Sequence, residues 1–291
     1  IGTGPSSSHT MGPRKAAEIF LERHPEATAF KVTLYGSLAA TGKGHMTNIA
    51  ITEVLQPVAP VEIIWEPKIF LPFHPNGMKF VSVDKEGKET DQWVVFSIGG
   101  GALAEESDGA SSVNTPDVYS MNSMTEILQW CERTGKSYWE YVKECEDSDI
   151  WDYLQEVWKT MQNAVKRGLE QEGVLPGPLN LRRKASTYYI RASGYKQSLQ
   201  SRGLVFAYAL AVSEENASGG VIVTAPTCGS CGVMPAVLYH LAKSREFSDT
   251  RILRALATAG LVGNIVKTNA SISGAEVGCQ GEVGVACAMA S

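Results

Sequence analysis

Apolar and polar residues alternate with two different periods near the start of the chain. In "AFKVTLYG", Phe30, Val32 and Leu34 occupy every second position, which predicts a strand with one buried face. In the preceding "PRKAAEIFLERHP", the apolar residues follow helical spacing and Pro25 ends the pattern. A helix followed by a strand is therefore predicted here.

Three later segments in the first third of the chain are also predicted to be strands. They are "VEIIWEP" at 61–67, "KFVSV" at 79–83 and "QWVVFSIGGG" at 92–101. The polar segment 84–89 contains a glycine and predicts a hairpin between the last two. Together with the helix, these strands indicate an α/β layer.

The hydrophobic period becomes helical after about residue 118. "WDYLQEVWKTMQNAVKRGLEQEG" repeats apolar residues every three or four positions, and Gly173 is predicted to cap that helix. Further helical patterns cover about 203–214, 232–244 and 249–267. This part of the chain is predicted to be all-helical.

These patterns predict an α+β multidomain protein. An α/β domain is expected at 1–103 and an all-α domain at 118–291, and the polar, acidic segment 104–117 has the composition of a mobile linker. A chain of 291 residues exceeds the usual size of a single hydrophobic core, which also favours two domains.

The charge balance argues against a nucleic-acid partner. The chain has 26 basic and 31 acidic residues, and no stretch is dense in lysine and arginine. No apolar segment is long enough to cross a bilayer, and the first residues lack the pattern of a secretory leader. The sequence therefore predicts a cytoplasmic protein without a membrane partner.

Six cysteines are too few for a disulfide scaffold in a chain of this length. Cys131 and Cys145 lie in amphipathic helical patterns and are predicted to be small buried residues. Cys228 and Cys231 form a C-x-x-C pair, which suits a redox dithiol, half of a zinc site or part of an iron–sulfur site. The strand and helix context of a thioredoxin is absent around the pair, and the sequence has no second C-x-x-C that would support a zinc site.

Cys279 lies in a glycine-rich stretch, "SISGAEVGCQGEVG". A cysteine in such a turn has little to pack against, whereas small neighbours with backbone N–H donors suit a bulky inorganic cluster. Cys287 follows eight residues later, a spacing that no compact zinc ribbon uses.

Three polar or glycine-rich segments of the α/β part carry candidate chemistry. "GPSSSHTMGPRKAA" sets three serines and His9 before a helix, which predicts either an anion site or a serine-rich cap with Pro13 in the first turn. "YGSLAATGKGHMTN" lacks the spacing of a nucleotide-phosphate loop, so His45 is either a functional loop residue or a surface-turn residue. In "FSIGGGALA", Ser97 precedes glycines that let a ligand approach the backbone, although no dinucleotide-binding helix follows.

Five motifs together resemble the iron–sulfur L-serine dehydratases (L-serine ammonia-lyases) of bacteria. They are "GPSSSHTMGP", "TGKGH", "SIGGGA", "TAPTCGSCGVMPAVLYH" and "NASISGAEVGCQGEVGVAC". The motifs occur in the family's order from residue 4 to residue 287, so the resemblance covers nearly the whole chain. It implies an N-terminal domain related to the allosteric substrate-binding domain of some phosphoglycerate dehydrogenases, and a helical domain that carries a 4Fe-4S cluster.

The resemblance also implies roles for individual residues. Cys279 would be a cluster ligand, an open iron would act as a Lewis acid on L-serine, and His45 would remove the Cα proton. The substrate would be oriented by the side chains of Ser6, Ser7, Ser8, His9, Ser97 and Thr227. Aminoacrylate would be released and would hydrolyse to pyruvate and ammonia. A homodimer active in amino-acid catabolism and gluconeogenesis is implied.

Part of the family's pattern does not occur in this sequence. Two further cluster cysteines, in Cys-Asp-Pro-Val and Val-Pro-Cys segments, are missing, so the chain is expected to be truncated and not to assemble a complete cluster as written. A cysteine desulfidase and a serine-sensing module without catalysis are alternatives. A pyridoxal-dependent dehydratase is disfavoured, because Lys43 between two glycines is a poor Schiff-base lysine.

Overall fold

The structure is a computed structural model with two compact units. It describes residues 1–106, 118–177, 179–272 and 274–291, and for Gly274, Ala275, Glu276 and Cys279 it describes the backbone only. An α/β unit comprises Pro5–Thr115, and a helical unit comprises Ile1–Gly4 with Pro116–Ser291. The mixture of helices with a five-stranded sheet confirms the α+β fold class. The exact domain and linker boundaries stay a prediction, because residues 107–117 lie outside the described residues.

The chain begins with a short strand, β1 (Gly2–Thr3), which belongs to the helical unit. The α/β unit then contains α1 (Gly12–Arg23), β2 (Ala29–Tyr35), α2 (Gly36–Thr41), α3 (Thr47–Leu55), β3 (Val61–Glu66), β4 (Gly77–Val83), β5 (Glu89–Gly99) and β6 (Ala102–Ala104). The strands form one sheet in the order β3-β2-β4-β5-β6. β2 and β3 are parallel, and the other neighbouring strands are antiparallel.

The predicted strand pattern is found in the sheet. Phe30, Val32 and Leu34 are all buried, and β4 and β5 form the predicted hairpin with Phe80 opposite Trp93. The three helices and the sheet share one hydrophobic core. Its fully buried members include Ala16, Phe20, Val32, Leu34, Leu38, Ile51, Leu55, Phe80 and Val95.

The glycine-rich segment after β2 is more ordered than its sequence predicts. α2 begins at Gly36 and α3 at Thr47, so only residues 42–46 form a turn between two helices. Leu38 and Ile51 are fully buried in the core. Burial of these apolar positions stabilises short helices that local propensity alone would not support.

The helical unit contains eight helices in its described residues. They are α4 (Met124–Thr134), α5 (Tyr138–Cys145), α6 (Ile150–Glu170), α7 (Ala185–Ser193), α8 (Gln197–Ala217), α9 (Val233–Ser244), α10 (Asp249–Asn269) and α11 (Gly274–Ala290). This unit also has a short strand, β7 (Val221–Ile222), which pairs antiparallel with β1. The expected all-α domain therefore includes one two-stranded pair.

Two details of the helical unit differ from the sequence predictions. α6 ends at Glu170 and Gln171 already has extended backbone, so the predicted cap at Gly173 lies beyond the end of the helix. Cys131 and Cys145 lie on helices as predicted but are only partly buried. None of the helices in the described ranges is long and apolar enough to cross a membrane.

Two glutamates near the end of α8 are buried and paired. Glu215 contacts Arg167 Nε at 2.8 Å and Arg183 Nη1 at 3.6 Å. Glu214 accepts two backbone N–H groups at the start of α7, at 2.6 and 3.2 Å. Because a buried carboxylate is costly without such partners, these contacts fix the end of α8 against its neighbours.

Candidate active site

The serine-rich segment folds as the cap of α1. Ser6 precedes a π-helical turn, Ser7–Met11, which runs into α1 with Pro13 in the first turn as predicted. Ser6 Oγ accepts the N–H of His9 at 3.2 Å, and the Ser6 carbonyl accepts the next two N–H groups at 2.9 and 3.1 Å. These three donors are satisfied within the segment, which forms a serine-rich cap of α1.

His9 is a buried histidine with a hydroxyl group at each ring nitrogen. Its Nδ1 lies 2.8 Å from Ser8 Oγ and its Nε2 lies 3.1 Å from Ser37 Oγ. Burial, together with the nearby His45 and His74, lowers the pKa of His9 from 6.5 to about 4. The His9 ring is therefore neutral at pH 7. At that pH it donates one hydrogen bond and accepts another.

His45 lies beside His9, with 4.8 Å between the ring centroids. Its Nδ1 is 3.0 Å from the carbonyl oxygen of Thr41. Because a carbonyl can only accept, Nδ1 carries the hydrogen and the neutral ring keeps a lone pair on Nε2. The turn between α2 and α3 thus presents a partly buried imidazole whose second nitrogen can accept a proton.

A third histidine near this pair was not singled out from the sequence. His74 is buried, and its Nδ1 accepts the N–H of Asn76 at 3.1 Å. Asn76 is fully buried and its Nδ2 donates to the carbonyl of Ser97 at 3.1 Å. The signal that could have identified these residues is "HPNG" directly before a strand, a polar turn that ends where the buried part of the sheet begins.

Ser97 is completely buried at the bulge of β5. Its backbone N–H donates to the carbonyl of Asn76 at 3.1 Å, and its hydroxyl has no hydrogen-bond partner among the described residues. The same hydroxyl lies against Gly12, where a Cβ atom would be 2.2 Å from Ser97 Oγ. Only glycine allows α1 to approach β5 this closely.

Thr227 belongs to the helical unit, in the loop between β7 and α9. It is buried, and its Oγ1 lies 3.2 Å from Ser230 Oγ. Cys228 and Cys231 of the same loop are also buried, and burial raises the pKa of the Cys231 thiol. A thiol with a raised pKa is a poor thiolate, so the structure gives Cys231 the environment of a packing residue.

Cys279 lies in α11, which consists of two helical stretches joined at Gly278. Gly278 has φ 68° and ψ 176°, and no described atom lies within 4 Å of the position of a Cβ there. This open, left-handed position fits the cysteine-bearing turn expected at residue 279. The side chain of Cys279, and hence its predicted iron ligation, lies outside the described residues.

The described cysteines do not complete a cluster site. Cys228 and Cys231 are buried in the loop before α9, and Cys287 is exposed on α11. Among the side chains that the structure describes, no group of three or more His, Cys, Asp or Glu residues could hold a metal ion.

Comparison with known sequences identifies the class of this protein. The family model described as the serine dehydratase alpha chain matches residues 76–291, and that of the serine dehydratase beta chain matches residues 1–64. L-serine dehydratase of Haemophilus influenzae is 38% identical over 344 residues, and L-serine dehydratase 1 of Escherichia coli K12 is 39% identical over 345 residues. Each alignment covers 100% of this chain and 75% of the relative. The protein is an enzyme of the lyase class.

The chain belongs to the serine dehydratase family. L-serine dehydratase of Streptomyces coelicolor, 36% identical over 343 residues, supports the same assignment. This finding confirms the resemblance seen in the sequence motifs. The boundary between the two family matches falls inside the α/β unit, because β4, β5 and β6 lie in the alpha-chain match.

Proposed function

We propose that the protein is an L-serine ammonia-lyase that converts L-serine to pyruvate and ammonia. The proposal is supported by relatives named for L-serine dehydration and by the histidine pair of the α/β unit. The observation that carries it is the hydrogen bond from His45 Nδ1 to the Thr41 carbonyl, because it leaves Nε2 as a proton acceptor next to neutral His9.

His45 is the proposed base. Its Nε2 takes the proton from Cα of serine while the Cβ–O bond breaks, and the departing hydroxide leaves as water once protonated. The product is aminoacrylate, which hydrolyses to pyruvate and ammonia. A partly buried imidazole suits this work because it remains accessible to substrate while its orientation is fixed by the Thr41 carbonyl.

The proposed substrate-orienting side chains are those of Ser6, Ser7, Ser8, His9, Ser97 and Thr227. The hydroxyl of Ser8 is held by His9 Nδ1, which fixes its position for a hydrogen bond to a polar substrate. The hydroxyl of Ser97 is the one in this set that lacks a hydrogen-bond partner in the described residues. The Ser6 hydroxyl already accepts the His9 N–H, so its contribution would be through the position of that histidine.

Cys279 is the proposed ligand of a 4Fe-4S cluster. The glycine kink before it, with open space around Gly278, supports a ligand that must reach a bulky group. When bound, the cluster would supply a Lewis acid that makes the serine hydroxyl a better leaving group. Substituting Cys279→Ser should remove iron from the purified protein, whereas Cys287→Ser, an exposed cysteine of the same helix, should retain it.

The reaction is tested with the full-length protein loaded anaerobically with iron and sulfide. Pyruvate release from L-serine and sulfide release from L-cysteine are measured in parallel. We expect pyruvate from serine to dominate. Faster sulfide release would assign the protein as a cysteine desulfidase, and serine binding without a brown chromophore or pyruvate would assign it as a serine sensor. A homodimer, a cytoplasmic location and a role in gluconeogenesis stay predictions.

A further inference from the structure

Two threonine hydroxyls join the segments that carry His9 and His45. Thr10, next to His9, donates from Oγ1 to the backbone carbonyl of His45 at 2.7 Å. Thr47, two residues after His45, donates from Oγ1 to the backbone carbonyl of His9 at 2.5 Å. Each histidine is thus held by a threonine from the other segment, across 35 and 38 residues of chain.

The direction of the Thr10 bond is fixed by its second partner. Thr10 Oγ1 also lies 3.1 Å from the backbone nitrogen of Ser6, whose N–H can only donate. Thr10 Oγ1 therefore accepts the Ser6 N–H and donates its own hydrogen to the His45 carbonyl, which can only accept. With Thr10 only 4% exposed, water does not compete effectively for either bond.

The Thr47 bond gives the His9 carbonyl a donor from outside its own segment. In regular helical geometry the His9 carbonyl would accept the N–H of the residue four positions later, and that residue is Pro13, which has no N–H. Thr47 is fully buried at the start of α3 and places its hydroxyl on this carbonyl. Pro13 in the first turn of α1 therefore gives the His9 carbonyl no α-helical donor, and Thr47 at the start of α3 donates to that carbonyl.

We propose that Thr10 and Thr47 form a reciprocal threonine clasp that positions the His9–His45 pair for proton transfer. The inference rests on the proposed function for the role of His45. The clasp acts through the backbone of each histidine, so both threonines are positioning residues and neither is required to touch the substrate. Without it, the turn that carries His45 is expected to move relative to the cap of α1.

The first test compares threonine variants of the full-length, iron-loaded protein. Thr47→Val keeps the shape of the side chain but removes its hydroxyl, and we expect kcat for L-serine to fall about tenfold with a smaller change in KM. Thr47→Ser keeps the hydroxyl and should recover most of the rate. Thr28→Val is the matched control, because Thr28 Oγ1 also donates to a backbone carbonyl, that of Val83 at 3.0 Å, elsewhere in the α/β unit.

A second measurement does not depend on turnover. The ring titrations of the five histidines are followed by NMR, with His9 assigned from a His9→Gln sample. The groups that face His9 are the rings of His45 and His74 and the hydroxyls of Ser8 and Ser37. In Thr47→Val and in Thr10→Val the pKa of His9 should rise towards 6.5, because separation from His45 and entry of water both favour the charged ring.

The outcomes separate the clasp from the proposed base. If Thr47→Val and Thr10→Val give the same kcat and the same His9 titration as Thr28→Val, the proposed positioning role of the two threonines is wrong. This conclusion holds even when His45→Gln is inactive. If the His9 titration shifts while His45→Gln retains full activity, the threonines hold the two segments together but the proposed role of His45 is wrong. Because Thr10→Val removes the opposite bond, the test does not depend on Thr47→Val folding.

Discussion

The serine-rich cap of α1 and the turn between α2 and α3 each present a histidine, but in different chemical states. His9 is 7% exposed and has a hydroxyl at both ring nitrogens, and burial lowers its pKa to about 4. His45 is more exposed, and one ring nitrogen is bound to the Thr41 carbonyl. The ring centroids of the two imidazoles are only 4.8 Å apart, yet the rings differ in exposure and in the hydrogen bonds of their nitrogens.

This difference supports the proposed division between an orienting histidine and a proton-accepting one. A histidine with both nitrogens engaged and a lowered pKa acts as a neutral hydrogen-bonding group. A histidine with one nitrogen fixed by a carbonyl keeps the other as a base. The proposed base therefore lies in the turn, and the proposed orienting histidine lies in the cap.

The largest expected effect comes from removing the proposed base. His45→Gln should lower kcat for L-serine at least about 100-fold, because general base catalysis contributes roughly 10²–10⁴ in rate. His9→Gln keeps a neutral hydrogen-bonding side chain and should lower kcat/KM only about tenfold. Steady-state pyruvate assays at matched iron content check both. Equal losses in the two variants would contradict the division of roles.

The next effect concerns stability at low pH. Because the pKa of His9 is lower in the folded protein than its ordinary 6.5, the unfolded chain binds more protons between pH 6.5 and about 4. The folded state should therefore lose roughly 2 to 3 kcal/mol from this group between pH 7 and pH 4.5. Urea unfolding at the two pH values measures it. His9→Gln should lose correspondingly less, and an identical loss in both proteins would place the pH dependence on other groups.

Close packing of the cap against β5 gives a smaller effect. Gly12→Ala places a methyl group 2.2 Å from Ser97 Oγ and should destabilise the protein by about 1–3 kcal/mol. In the Gly12→Ala/Ser97→Ala double variant part of this loss should be recovered, because the crowding oxygen is gone. Urea midpoints of the four proteins form the test, and simple additivity would show that the two sites are not coupled.

The smallest expected effect is at a single hydroxyl of the cap. Ser8→Ala removes the hydrogen bond to His9 Nδ1, worth about 1 kcal/mol, and should lower kcat/KM about fivefold. Ser37→Ala, which removes the bond to the other ring nitrogen, should have a similar effect. A loss as large as that of His45→Gln at either serine would show that His9 does more than orient.

The local pattern of hydrophobic and polar residues predicted most of the fold but only part of the candidate active site. The alternation of Phe30, Val32 and Leu34 identified the central strand, because burial of one face leaves a period of two in the sequence itself. α2 and α3 were missed because Gly36, Gly42 and Gly44 make the segment after β2 resemble a loop, and burial of Leu38 and Ile51 in the core stabilises the two helices. His74 and Asn76 were missed because the "HPNG" turn does not by itself indicate that His74 lies near His9 in the fold.

Motifs spread along nearly the whole chain indicated the family from the sequence, and hydrophobic period predicted the strands β2 to β5 and the helices α1, α6, α8, α9 and α10. Only the folded structure shows that burial lowers the pKa of His9, that His45 Nδ1 donates to the Thr41 carbonyl, and that Thr10 and Thr47 join the two segments by hydrogen bonds. The physical reason is that protonation and hydrogen bonding depend on burial and on partners far away in the chain. Those are properties of the folded neighbourhood, which a linear pattern does not contain.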